Sequence, residues 1–204
     1  GLLEVSRADV AGYHDALRAR GYSASTAKAR LCTLLVFYRF CARRDLIAAV
    51  PAIALPKVPR NPPVHVLTPH QVMRILAQPD LTRKTGIRDR AVLEVLYSTA
   101  IRLGELRALR LEHVDFAGGF LTVERGKGDR WRVVPIGTTA LKSTRRYLDE
   151  VRPAWVRSEA ERTLFLSDRG HGLALTTVQQ RIVWLYAEAA AIPFRVTTHA
   201  FRHA

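Results

Sequence analysis

The chain has 204 residues, enough for one large domain or two small ones, and 48% are hydrophobic, enough to bury a core. Its 32 Lys and Arg against 18 Asp and Glu leave a formal charge of +14, for which a polyanionic partner such as nucleic acid is the simplest reading. A basic ribosome- or membrane-associated protein without chemistry is the alternative, but no apolar run approaches the ~20 residues of a membrane span and no signal peptide is visible.

The excess charge is spread, with ten basic against four acidic side chains in residues 1–65 and 22 against 14 in 66–204. Both parts could therefore face a phosphate backbone. Cys32 and Cys41 fall on one expected helix, roughly 13 Å apart, too far for a bridge. They read as core or semi-buried thiols in a reducing cytoplasm. The chain opens at Gly1 in mid-pattern without Met, and is read as a fragment.

In chain order, Ser6 with Asp9 three residues on predicts a capped helix that buries Val10, Tyr13 and Leu17 and stops near Gly21. A second helix is expected after Ser25, with Ala27, Leu31, Leu34, Leu35, Tyr38 and Cys41 on one side and Lys28, Arg30, Arg39, Arg43 and Arg44 on the other. That basic side is either a solvated polar face or a DNA-facing surface. Prolines 51, 56, 59, 62 and 63 then predict an extended linker. The organisation read from this is a helical domain over 1–50, a Pro-rich linker over 51–65 and a second domain over 66–204.

Thr68-Pro69-His70-Gln71 carries an N-cap, Pro at N1 and Gln at N3, a strong helix start. Helices are expected at about 69–78, 86–99 and 103–110. Short strands are expected at Phe120–Val123 and Arg132–Pro135, around a turn from Arg125 to Asp129. Helices follow at about 139–151 and 154–161, then a strand at Leu164–Leu166 and a helix at 177–190. Thr198 is expected to cap a last helix beginning at His199.

Chemistry-bearing residues are few. Arg102 stands at a break between helical segments, where its planar guanidinium can match two phosphate oxygens. Glu105, one turn on, can hold that fork, although alone the pair reads as an ordinary surface ion pair. Lys127 sits in a Gly-Lys-Gly turn, free to enter a minor groove or protonate a leaving oxygen; in isolation it is a solubilising hairpin lysine. His199 and Arg202, at i and i+3 of a helix start, share a face near free N–H groups. His203 is expected to point elsewhere, orienting a neighbour or packing internally. No zinc spacing, phosphate-cradling glycine loop or Gly-x-Ser-x-Gly occurs, and the carboxylates are scattered, so no cofactor or metal is expected.

Taken in order, these segments resemble the tyrosine recombinases, the phage-integrase and Xer-type family. Residues 1–50 resemble part of its N-terminal core-binding domain, through Ser23, Thr26, Phe37, Tyr38, Arg39 and Phe40. Ser98-Thr99-Ala100-Ile101-Arg102-Leu103-Gly104-Glu105-Leu106 resembles its first arginine box, with Ala100 and Ile101 where Gly and Leu are usual. Gly126-Lys127-Gly128 with Arg132-Val133-Val134-Pro135 resembles its catalytic hairpin, and His199-Ala200-Phe201-Arg202-His203 its His-x-Leu-Arg-His box.

The resemblance implies a mainly α fold with a small antiparallel β-sheet: an N-terminal helical core-binding (SAM-like) domain plus an α+β catalytic domain. It implies site-specific recombination of double-stranded DNA by metal-free phosphoryl transfer through a 3′-phosphotyrosyl link, by a tetramer on paired sites. Arg102 and Arg202 would grip the scissile phosphate, Lys127 would protonate the 5′-hydroxyl, His199 would hydrogen-bond the phosphate and Glu105 would support the arginines. The family's tyrosine lies beyond the Arg-His pair, where none of the six tyrosines falls, and the first core-binding helix is missing. This fragment is therefore expected to bind DNA without cleaving it. A truncated regulator or decoy occupying recombination sites is the alternative reading, and a nicking-closing topoisomerase a third.

Overall fold

The computed structural model describes residues 4–58, 65–125 and 130–203. The chain divides into two compact units, Gly1–Val64 and His65–Ala204.

In the first unit, α1 (Arg7–Ala19) opens on a capping box in which the Ser6 N–H donates to Asp9 Oδ2 and the Asp9 N–H to Ser6 Oγ. Its end turns on Gly21, whose φ of +74° lets the Tyr22 N–H reach back to the Leu17 carbonyl. The second helix, α2 (Ala24–Arg43), starts before the predicted position because Ser23, in extended backbone, takes the Thr26 N–H on its hydroxyl. Val10, Leu17, Ala27, Leu31, Tyr38 and Cys41 are buried. Tyr13, expected inside, is exposed, and Leu34 and Leu35 are only half-buried. Both cysteines are free thiols.

The second unit is built around α4 (Lys84–Thr99), whose Ile87, Ala91, Val92, Leu93, Val95 and Leu96 are all buried. An apolar helix of this kind must be covered on most sides. It packs against α3 (Pro69–Leu76), α6 (Thr138–Glu150) and α9 (Thr198–His203). After α4 come α5 (Leu103–Ala108), a 3-10 turn at Leu111–His113 and a three-stranded antiparallel sheet in the order β1 (Val114–Asp115), β2 (Phe120–Arg125), β3 (Arg130–Pro135). The two-residue β1 is too short to leave a periodic signal, which is why only two strands of this sheet are read from sequence.

Register fixes the two faces of the β2–β3 pair. Leu121 stands opposite Val134 and Val123 opposite Arg132, and this face turns to the core. Trp131, Val133 and Phe120 share the other face and are exposed, Trp131 at 68%.

Two expectations fail beyond α6, and a third element differs only in its winding. The helix at 154–161 is only the single turn α7 (Arg152–Trp155), because Val156 is extended and the Arg152 guanidinium draws the chain back by donating to the Glu161 and Thr163 carbonyls. Leu164–Leu166 forms no strand; isolated bridges join Arg110 to Thr163 and Leu166 to Gly172. The helix expected at 177–190 is present, with π-helical winding over Thr177–Trp184 before it runs into α8 (Leu185–Ala189).

Candidate active site

Arg102 owes its position to the break after α4. Ala100 closes that helix in the left-handed region (φ 50°), where a glycine would sit without strain. Ile101 is fully buried and pins the turn, so the next side chain, Arg102, is thrown outward with 64% exposure. Gly137 anchors the same segment from the other side by donating its N–H to Ser98 Oγ at 2.7 Å.

Glu105 gathers the donors. Its carboxylate accepts the Arg102 backbone N–H at 2.8 Å and Arg102 Nη1 at 3.1 Å. Arg132, reaching from β3, donates Nη1 and Nη2 to the two oxygens at 2.9 and 2.8 Å, a bidentate fork. These bonds, Arg132's foremost, hold the Glu105 carboxyl at about 2, well below the usual 4.5. Glu105 is therefore ionised, and it occupies only one nitrogen of the Arg102 guanidinium. Arg132 is a residue whose part the sequence reading missed. An arginine facing inward beside Val134 on an otherwise apolar strand face was the available signal.

The second group lies on α9, where Ala200 and Phe201 are buried among the core residues. The start of α9 is held by a latch: the Thr198 N–H donates to Gln179 Oε1 at 3.0 Å, and Gln179 Nε2 donates to the Val196 carbonyl at 3.3 Å. Thr198 is itself the first residue of α9; its own N–H is the one Gln179 takes, and among the described residues its hydroxyl makes no capping bond. Arg202 is half-buried, and its Nη1 is a buried donor without a hydrogen-bond partner. His199 is exposed, and His203 does not point elsewhere. The two rings stand perpendicular with centroids 4.5 Å apart, and their Nε2 atoms lie 3.0 Å apart in a hydrogen bond.

The structure thus brings together Arg102, Glu105 and Arg132 on one side, and His199 and His203 beside Arg202 on the other. The packing of α9 against α4, the helix that leads into Arg102, relates the two groups. Among the described residues no hydrogen bond or ion pair joins them. Lys127 lies outside the described residues. Two features suit an anionic ligand: an exposed guanidinium fork with free nitrogens at Arg102, and an unsatisfied donor at Arg202.

Comparison with known proteins identifies this architecture. The model of the phage integrase family matches residues 65–204, and that of its N-terminal SAM-like domain matches residues 1–45. The chain belongs to the tyrosine recombinase, or phage integrase, family, with a SAM-like N-terminal domain and an integrase catalytic domain. Tyrosine recombinase XerC 2 of Ralstonia nicotianae is 40% identical over 176 residues, covering 85% of this chain and 50% of its own length. Two XerD recombinases, of Lacticaseibacillus casei and Pseudomonas aeruginosa, are covered to 59% and 62% of theirs. The chain therefore spans half to three fifths of these relatives. In fold, it is similar to the Tn1549 transposon integrase in complex with transposon right end DNA, with a TM-score of 0.77 at 20% identity over 98% of this chain and 71% of that one. It is also similar to a lambda integrase tetramer bound to a Holliday junction, with a TM-score of 0.72 at 20% identity over 98% and 58%.

Proposed function

We propose that the chain is the DNA-gripping part of a site-specific recombinase, with Arg102 and Arg202 holding the two non-bridging oxygens of a scissile phosphate. The observation that carries this reading is the buried, unpartnered Nη1 of Arg202, a donor whose desolvation is offset only when an acceptor arrives. A phosphate oxygen is such an acceptor, and Arg102 has free nitrogens for a second. Charge that develops on the pentacoordinate phosphorus would then be stabilised by guanidiniums, without calling on a metal. His199 would hydrogen-bond the phosphate after exchanging its bond with His203, and Lys127 would protonate the leaving 5′ oxygen. Glu105 would position Arg102. In the same reading residues 1–50 bind DNA, 51–65 link and 66–204 hold the catalytic residues.

The attacking hydroxyl would come from a tyrosine outside these 204 residues. In the second unit the Tyr147 hydroxyl is buried and accepts the Leu166 N–H. That of Tyr186 donates to Asp89 Oδ2, and burial together with Asp89 pushes it well above the ordinary tyrosine range. Both hydroxyls are committed to structure and poorly suited to attack. The 204-residue chain would therefore occupy duplex DNA in the cytoplasm without cutting it, the behaviour of a regulator or decoy. Carried in a chain that supplies the tyrosine, the same residues would recombine paired sites as a tetramer.

The test uses a nicked suicide substrate. The 204-residue chain should bind it and form no covalent adduct, whereas a chain extended to include the tyrosine should form one that Arg202→Ala abolishes. DNA bound by the extended chain without any adduct would sink the enzymatic reading.

A further inference from the structure

A cavity of about 490 Å³ lies in the second unit, between the start of α4, the loop before the π-helical stretch, and that stretch itself. Arg88, Arg169 and Arg181 line it, with the hydroxyl-bearing Thr85, Ser167 and Thr177 between them. None of the six belongs to the Arg102 or Arg202 groups.

The guanidiniums differ in what they have left to give. Arg88 is buried and bound through Nε and Nη2 to Asp89, whose other oxygen takes the Tyr186 hydroxyl. This unit is electrically closed and forms a wall. Arg169 and Arg181 are exposed, and among the described residues neither side chain makes a hydrogen bond or ion pair. The single carboxylate of Asp168, on the same loop, offsets one of these two charges, leaving a net positive basin.

The arrangement is also preorganised. Gly170 follows Arg169 in a left-handed turn (φ +83°), and a side chain there would run into Arg157 and the Trp155 carbonyl, so the loop sits hard against α7. Thr177 and Arg181 are one turn apart on the π-helical stretch, a rare, wide-turned geometry that is frequent at functional sites.

We propose that this basin is a second oxyanion site, taking a backbone phosphate of duplex DNA other than the one held by Arg102 and Arg202. The shared chemistry is that of any phosphate, and the inference rests on the chain binding DNA. A second grip outside the reacting centre would fix the register of the duplex and carry no sequence information itself.

The 204-residue chain, Arg169→Ala, Arg181→Ala and Arg181→Lys would be titrated with a labelled duplex by fluorescence anisotropy between about 50 and 200 mM salt. Each alanine variant should lose about 3–10-fold in affinity and flatten the salt slope by about one unit, equally on unrelated sequences. Arg181→Lys should keep the slope, and all variants should melt with the wild type. Wild-type binding with unchanged affinity and slope in both alanine variants would overturn the site. So would inorganic phosphate shifting the Arg181 resonances in NMR while duplex affinity ignores the substitutions, since the basin would then be a free-anion site. A wild-type chain that binds no duplex would defeat the proposed function itself, a distinct result.

Discussion

At Glu105 two oxygens accept four bonds, from Arg102 and Arg132. The carboxyl is held at about 2 against a usual 4.5. A depressed carboxylate contributes stability that is fully present above about 4.5 and lost as pH falls toward about 2. Glu105→Gln should cost about 1–2 kcal/mol at neutral pH and remove part of the acid limb of a stability profile in that window, as followed by urea denaturation. Ala100 makes the opposite prediction. It occupies a left-handed position at φ 50°, so Ala100→Gly should raise stability by about 1 kcal/mol, read as a higher melting temperature. The sequence showed that Ala100 departs from the usual glycine. It could not show the backbone angle that makes glycine usual. In the same way Arg102 and Glu105 were legible as a pair one turn apart, whereas Arg132 lies 27 residues from Glu105 and only the strand register joins them.

Elements whose signal is local were read well. Ser6–Asp9 and Thr68–Gln71 mark α1 and α3 because both partners of each cap lie within four residues. What the sequence hid in the second unit includes contacts between distant residues. Arg152 stops α7 by binding carbonyls nine and eleven residues away, and Gln179 latches α9 from the π-helical stretch. Removing that latch should matter locally. Gln179→Ala should cost about 1–2 kcal/mol and speed amide exchange in α9 more than in α4, by hydrogen exchange. Equal acceleration in both helices would show that α9 opens only with the whole unit. Gly170→Ala should be harsher, since it combines a left-handed φ with a collision at the Trp155 carbonyl. A loss of at least about 1 kcal/mol is expected in thermal melts.

For the molecule as a whole, composition and structure speak to different questions. The charge of +14 indicated a polyanion but not which surface meets it. The structure adds guanidinium groups at Arg102, which spends one nitrogen on Glu105, and at Arg202, Arg169 and Arg181, each with nitrogens that no described protein group occupies. Duplex affinity should therefore fall steeply, by several powers of ten if six or more phosphates are neutralised, between about 50 and 200 mM salt. Affinity indifferent to salt would contradict a phosphate-gripping surface.

The exposed outer face of β2 and β3 also has a practical use. The chain has three tryptophans; Trp155 is buried and Trp184 carries Arg195 over its ring, while Trp131 stands 68% open beside the hairpin. Its indole should dominate collisional quenching by acrylamide, making it a built-in optical reporter. Shielding of that emission when a duplex is added, absent in Trp131→Phe, would show nucleic acid arriving at the hairpin without any attached dye.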